Sequence, residues 1–341
     1  MPDGAPNHAR REGRRLVPDG GITWRWSRFG LGAAYAVPAV VVAAWSPTLG
    51  LAVAVGVLPA AAFGLPPRRP GRAVIPVVGA LSALGLLLGS LVASTPVIAV
   101  VAVFALAVAA SITATSGRLA QLFLLLGLPM FGIGLSFPWG AAVLALAGCM
   151  AAGSLYAWLV ALAWPERTSP ALSPAPVPRG RAMVVYGVLL GTAAATAAAV
   201  GFALGLEHVG WATGAVLLVM RPVRGQLILR SAGRAISVML GALAAACFAL
   251  VGPGPLLNAA LILLVVGALS ATQESRWYIA PGFTTFLALT LILSTSSSSP
   301  SQRFVERSVE TLLGVALALF FGALVPAALS FAARRRGRTC P

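Results

Sequence analysis

One carboxylate inside an apolar segment has the position that most strongly indicates chemistry. Glu310 lies in the stretch FVERSVETLLGVALALF, and the chain has only eight acidic residues. An ionisable group near the membrane centre costs about 2.5–3.5 kcal/mol and usually serves a function. Arg307, three residues earlier, shares a helical face with it. Two interpretations are open: Arg307 attracts an organic anion while Glu310 carries a proton, or the two form a salt bridge that anchors the helix end.

Four further residues are candidates for contact with a substrate. Arg234 follows a basic loop at 221–232, which could form an entrance for anions or an anchor to anionic lipid. Trp211 and Tyr278 open apolar segments, as residues of the aromatic belt do, and could instead stack on an aromatic ligand. Thr311 follows Glu310, and we expect it to serve helix packing.

A proline-glycine pair precedes the last two candidates, Thr284 and Thr285. Pro281 and Gly282 lie inside a predicted span. We expect them to break the helix, so that free backbone groups line a cavity together with the two threonines.

Missing residues exclude several classes of enzyme. No Asp follows Asp19, so the clustered Asp that binds magnesium pyrophosphate is lacking, and no GxxxxGK[ST] loop occurs. Only two histidines exist, His8 and His208, and the three cysteines lack CxxC spacing, so we predict neither a metal site nor a cofactor. Glu207 and His208 are interpreted as an exposed loop pair in preference to an exit-side proton group. By elimination a transporter is favoured over an enzyme.

The composition places the chain in a membrane. Of 341 residues, 59% are hydrophobic and 9% are charged, with a mean hydropathy of +0.92, whereas soluble domains carry about 25% charge. A net charge of +16 would suggest nucleic acid in a soluble protein. Here the arginines lie between apolar segments and in the tails, which fits the positive-inside rule better. We therefore predict membrane lipids as partners, and no nucleic acid.

Apolar segments of membrane-spanning length recur along the chain. Because a hydrocarbon core of about 30 Å needs about 20 helical residues, we predict an all-α polytopic transmembrane bundle of twelve spans in two similar six-helix halves. Ten or eleven spans are the open alternatives, since several predicted spans are short and contain Pro or Gly. The halves are residues 28–163 and 182–327, joined by a Pro/Ser-rich linker at 164–181 and flanked by tails at 1–27 and 328–341. The spans are 28–45, 48–64, 73–93, 96–115, 118–136, 138–163, 182–206, 209–220, 233–251, 255–272, 277–294 and 304–327.

Arginine positions predict the orientation of these spans. With the N-terminal tail inside, the outside loops contain no arginine except Arg303 and Arg307. The positive-inside rule then places both termini in the cytoplasm. Arg72 and Arg234 each precede a glycine by seven residues at the start of the third span of their half, which indicates parallel repeats.

The stretch WATGAVLLVMRPVRGQLILRSAGRAISVMLGALAAA, which starts at Trp211, resembles the fusaric acid resistance protein-like (FUSC) family, which includes the aromatic acid exporters. A second signature of that family is similar: a span that starts with Tyr, a mid-helix Thr, then Arg…Asp-Thr-Leu-x-Gly. The matching residues here are Tyr278, Thr284 or Thr285, Arg307, Glu310, Thr311, Leu312 and Gly314. The sequence departs at Ser237-Val238, where Gly-Thr is usual, and at Glu310, where Asp is usual.

The resemblance implies efflux of small, mostly aromatic, carboxylic acids across the bacterial inner membrane, driven by the proton gradient. We expect alternating access with a site near mid-membrane between the halves. An alternative of another class stays open: a non-transporting scaffold or accessory subunit of an envelope-assembly or lipid-handling system. Short, Gly-rich helices would also permit a homo-oligomer.

Overall fold

The structure, a computed structural model, describes residues 22–166, 179–221, 227–275, 278–295 and 299–336. Within these stretches the chain forms helices and turns and no strand, which confirms the predicted all-α class. Parts of several predicted segments fall outside the described residues. They are 1–21 and 337–341 of the tails, 167–178 of the linker, 222–226 of the basic loop and 276–277 before Tyr278.

Twelve helices occur in the described stretches, and each overlaps one predicted span. In chain order they are α1 Trp26–Ala43, α2 Pro47–Phe63, α3 Val74–Val92, α4 Pro96–Thr113, α5 Arg118–Gly134, α6 Ala141–Ala163, α7 Arg181–Ala203, α8 Val209–Val219, α9 Leu227–Leu250, α10 Pro255–Ala271, α11 Ala280–Thr295 and α12 Pro300–Leu319. π-Helical turns occupy Phe123–Gly127 within α5 and Phe320–Leu324 after α12, where the helix continues as Val325–Arg336.

Local sequence explains where several helices begin. Proline stands in the first turn of α2, α4, α10 and α12, where its missing N–H needs no partner. The hydroxyls of Ser46 and Ser299 accept hydrogen bonds from the backbone N–H groups of Leu49 and Gln302, at 3.4 and 3.3 Å, and so cap α2 and α12. The predicted break at Pro281 is wrong for the same reason, because this proline also lies in the first turn of a continuous α11.

Seven of the twelve helices are long and apolar enough to cross a membrane: α1, α3, α4, α6, α7, α9 and α12 with its continuation. The chain is therefore a multi-pass membrane protein. The other five apolar helices are shorter, with 10–17 residues each. That all twelve helices cross the bilayer stays a prediction.

Helix packing follows the same scheme in both halves. In the first half α1 packs against α2, α2 against α6, and α3 against α5 and α6. In the second half α7 packs against α8, α8 against α12, and α9 against α11 and α12. Between the halves α1 packs against α10 and α2 against α11, just as α7 packs against α4 and α8 against α5. If every helix is exchanged for its counterpart in the other half (α1 with α7, and so on to α6 with α12), the same set of pairs results.

Small residues form the close contacts between the halves. A Cβ atom added to Gly32 of α1 would lie 2.6 Å from the Cβ of Ser270 on α10. One added to Gly187 of α7 would lie 2.8 Å from the Cβ of Ser111 on α4. The two contacts occupy equivalent places in the packing scheme, and each needs a glycine so that the backbones can approach.

Arg72 ties the end of α6 to the start of α3. It is fully buried, and its guanidinium donates hydrogen bonds to the backbone carbonyls of Ala161, Trp164 and Pro165, the last two at 2.7 and 3.0 Å. A further bond goes to the carbonyl of Pro66 at 3.3 Å. Because carbonyls at the C-terminal end of a helix lack partners within that helix, this arginine acts as a structural cap.

Candidate functional site

The shortest helix, α8, is the central element of the second half. It packs against α5, α7 and α12, and every position except Leu218 is buried. A helix that is apolar on all sides is expected inside a bundle. Its 11 residues extend about 16 Å, about half of the hydrocarbon core. Polar residues at its two ends are therefore held inside the bundle, beside helices that continue past them.

Arg303 is a residue of α12 that lies beside the N-terminal end of α8, where several hydrogen-bond acceptors surround its guanidinium. Its guanidinium binds both carboxylate oxygens of Glu207, at 2.6 and 2.7 Å, and the carboxylate of Glu306 at 2.8 Å. The Nδ1 atom of His208 lies 3.4 Å from the same guanidinium. Only 2% of Arg303 is exposed. We call Arg303, Glu207, Glu306 and His208 the Arg303 cluster.

His208 is buried, whereas Glu207 is exposed as expected. The imidazole stacks on the ring of Trp211, with centroids 4.3 Å apart and an angle of 18° between planes. Burial, and then the positive charge of Arg303, lower the pKa of His208. The hydrogen bonds from Arg303 lower the pKa of Glu207. The interpretation of an exposed loop pair is therefore wrong for His208, because an aromatic side chain one helical turn later covers it.

The Arg303 cluster also contains the donor set of a possible metal site. One ligand atom each of Glu207, His208 and Glu306 lie within 4.8 Å of one another. The guanidinium of Arg303 is within hydrogen-bond distance of both carboxylates, so it takes the position that a metal cation would need. These residues thus hold a cation of the protein itself and do not fit a metal ion.

A second group of charges lies one turn further along α12. The guanidinium carbon of Arg307 is 4.2 Å from the centroid of the Trp211 ring, a cation–π contact. Arg307 also interacts electrostatically with Glu310 on its own helix and with Arg234 on α9. Glu310 is 2% exposed and Arg234 is 7% exposed. We call Arg307, Glu310, Arg234 and Trp211 the central cluster.

The central cluster does not form the salt bridge that the sequence left open. Within the described stretches, the ion pair between residues three apart on α12 joins Arg303 to Glu306, and none within 4 Å joins Arg307 to Glu310. Three buried polar atoms also have no hydrogen-bond partner among the described residues: Nε of Arg234, Nη1 of Arg307 and Oε2 of Glu310. Such an orphaned group costs about 1–3 kcal/mol, and more when charged. The cluster therefore has unused capacity to bind a polar ligand.

The remaining candidate residues have more local contacts. Thr311 donates to the backbone carbonyl of Arg307 at 2.7 Å, which fits its expected packing role. Thr284 donates to the carbonyl of Pro281 at 3.2 Å. Thr285 is buried. In the described chain no hydrogen bond or ion pair connects Thr284 or Thr285 to the central cluster. Tyr278 lies against the backbone of Gly233, next to Arg234, since a Cβ there would be 2.6 Å from its ring.

Arg303 was not predicted as a site residue, and Arg221 was considered only as part of the basic loop 221–232. The sequence did contain one indication for Arg303. Together with Arg307 it is an exception to the rule that the predicted outside loops lack arginine. Arg221 follows the C-terminal end of α8 and interacts electrostatically with Arg234 and Tyr186. Burial lowers the pKa of Arg221. The central cluster itself lies among α8, α9 and α12, within the second half, whereas we expected a site between the halves.

Comparison with known proteins gives a match in the second half. Residues 193–321 match the family model described as fusaric acid resistance protein-like, which confirms the resemblance seen in the sequence. The matched region contains the whole central cluster. No curated protein and no solved structure matched the chain. The matched family suggests a transporter or exporter type of role in the membrane.

Proposed function

Because residues 193–321 match the fusaric acid resistance protein-like family model, we propose that the chain is an exporter of small organic anions, chiefly aromatic carboxylates. The observation that carries the proposal is the central cluster. Arg234 is buried, half-buried Arg307 interacts with both Arg234 and Glu310, and each arginine has a nitrogen atom without a partner among the described residues. A carboxylate would supply both the missing charge and the missing acceptor.

The electrostatics favour an anion at this position. Two unit charges 4 Å apart interact by about 1 kcal/mol in water and about 4 kcal/mol at an effective dielectric constant near 20. Arginine forks match the two oxygens of a carboxylate, so geometry and charge agree. Trp211 adds an aromatic surface beside Arg307, on which an aromatic ring can stack.

Glu310 is the proposed proton carrier. It is enclosed beside Arg307, and its Oε2 atom has no partner within the described residues. An anion and a proton would bind in turn: Glu310 is ionised while an anion is bound, takes up a proton from the outside once the anion has left, and then releases that proton to the inside. Proton entry and anion exit would thereby be coupled, and the membrane proton gradient would drive export.

The architecture supports alternating access by two six-helix halves. The helix pairs of one half recur in the other, six helices later. Parallel repeats of this kind rock against each other in several transporter folds. We place both termini in the cytoplasm and the protein in the bacterial inner membrane, in accordance with the arginine distribution.

Efflux of anions from proteoliposomes containing the full chain tests the proposal. We expect export of a panel of aromatic carboxylates that depends on a pH gradient. Glu310→Gln should lose the gradient dependence at equal protein content, whereas Glu306→Gln, the same charge change one turn away, should keep it. If the wild type exports nothing from the panel, the exporter is refuted and an accessory subunit becomes the better explanation. If both variants stay gradient-dependent, export stands and the coupling residue is wrong.

A further inference from the structure

We infer that Glu310 sets the charge class of the transported anion, so that the central cluster accepts organic monoanions and rejects dianions. The inference rests on the proposed function, and it adds a specificity that neither the family match nor the transport role contains. It follows from the count of charges buried around the unpartnered nitrogen atoms.

Arg234 and Arg307 contribute two positive charges, and Glu310 contributes one negative charge. All three are enclosed by α8, α9 and α12, and Arg307 interacts with the other two. The empty site therefore has one positive charge in excess. A bound monoanion makes the group neutral, whereas a dianion leaves one uncompensated negative charge. Because an uncompensated charge is strongly disfavoured in a low-dielectric interior, the monoanion is preferred.

Neighbouring charges do not alter this count. The charge of Arg303 is paired with Glu207 and Glu306, and the surplus negative charge lies on Glu207, whose side chain is 57% exposed. Water screens a charge in that position. At the other end of α8, Arg221 interacts electrostatically with Arg234, but it is partly exposed, so water screens its charge as well.

The described part of the first half has no equivalent site. A Cβ on Gly314 of α12 would lie 2.5 Å from the carbonyl oxygen of Ala212 on α8, and one on Gly153 of α6 would lie 2.7 Å from the carbonyl carbon of Gly56 on α2. The two glycines thus hold equivalent positions. Arg307 and Glu310 lie seven and four residues before Gly314. The residues at the same distances before Gly153 are Leu146 and Cys149, so α6 has neither charge at these positions.

Arg72 of the first half and Arg234 of the second half occupy corresponding positions in the repeat, but their hydrogen bonding differs. Arg72 and Arg234 are seven residues before corresponding glycines. The Arg72 guanidinium donates hydrogen bonds to four backbone carbonyls, whereas Nε of Arg234 has no partner in the described chain. One anion site per chain follows, located in the second half.

Exchange by reconstituted protein tests the charge class. The probes are two matched pairs at pH 7.5: benzoate with isophthalate, and benzenesulfonate with benzenedisulfonate, which stays fully ionised. Exchange without a pH gradient does not require proton coupling, so Glu310→Gln can be compared directly. The wild type should prefer the monoanion of each pair. Glu310→Gln removes the negative charge and should shift the ratio at least tenfold towards the dianion.

Two control variants make the outcome specific. Glu306→Gln changes net charge equally on the same helix, and it should leave the ratio within twofold of the wild type. The double variant Arg307→Gln/Glu310→Gln restores one excess positive charge and should restore preference for the monoanion, which also guards against misfolding of the single variant. If the wild type exchanges the probes and Glu310→Gln keeps its ratio, the inference is overturned while the proposed function stands. If the wild type exchanges neither pair, both are overturned.

Discussion

Replacing Arg303 by methionine should destabilise the protein more than replacing any exposed arginine. The substitution keeps the length of the side chain and removes the guanidinium that Glu207 and Glu306 share. Glu306, whose side chain is 26% exposed, would lose its cation in a partly buried position. The His208 ring would lose a neighbour 3.4 Å from its Nδ1 atom.

The expected loss is about 2 kcal/mol in the free energy of unfolding. Removing one partner of a buried ion pair costs about 3–5 kcal/mol, and a hydrogen bond to a charged group contributes about 1.5–3 kcal/mol. Both figures must be reduced here, because the side chain of Glu207 is 57% exposed and regains water. At about 2 °C per kcal/mol for a large chain, the melting temperature should fall by about 4 °C.

Thermal unfolding of the full chain in detergent, followed by tryptophan fluorescence, measures this loss. A double-mutant cycle with Glu306→Gln assigns the part that belongs to the pair. The matched control is Arg118→Met, which removes an exposed arginine at the start of α5 and should change the melting temperature by less than about 1 °C. If Arg303→Met has the same melting temperature as the wild type, the Arg303 cluster contributes no stability and the reasoning from its geometry fails.

Acid should weaken the same cluster. Arg303 lowers the pKa of Glu207. A carboxyl group with a lowered folded-state pKa stabilises the fold above its unfolded pKa, and this contribution disappears as the pH falls through the lowered value. The wild type should therefore lose stability on acidification below the ordinary carboxyl range, and Glu207→Gln should lose less over that window. Equal acid sensitivity of the two proteins would contradict the assignment.

Three further predictions concern packing and titration. The ring of His208 should titrate by NMR below its ordinary pKa, and Trp211→Leu should raise that value because the stacked cover is lost; an unchanged midpoint would contradict the role of burial. Gly314→Ala should cost about 1–3 kcal/mol in thermal unfolding through overpacking, since its Cβ would lie 2.5 Å from the carbonyl oxygen of Ala212, whereas Gly148→Ala meets open space and should not destabilise. Arg72→Met should lower the melting temperature and leave the anion preference of the wild type unchanged, because its hydrogen bonds are all to backbone carbonyls.

The sequence by itself determined the membrane class and the helix boundaries. Low charge and high hydropathy do not require tertiary information, because water and lipid act on each segment separately. Glu310 could be identified in the same way, since a carboxylate in an apolar segment is costly wherever the helix packs. Proline and serine determine the starts of α2 and α12 locally. Pro281 likewise lies in the first turn of α11, so the break expected there does not occur.

Only the tertiary structure decided which charges meet. Arg234 and Arg307 are 73 residues apart in the chain, and the packing of α9 against α12 makes them neighbours. Glu207 and Arg303 are 96 residues apart, and they meet because α8 packs against α12. Periodicity indicates which face of a helix is apolar but not which helix covers it. For that reason the sequence alone could not distinguish Arg303, which pairs with two carboxylates, from Arg307, which forms no ion pair within 4 Å among the described residues.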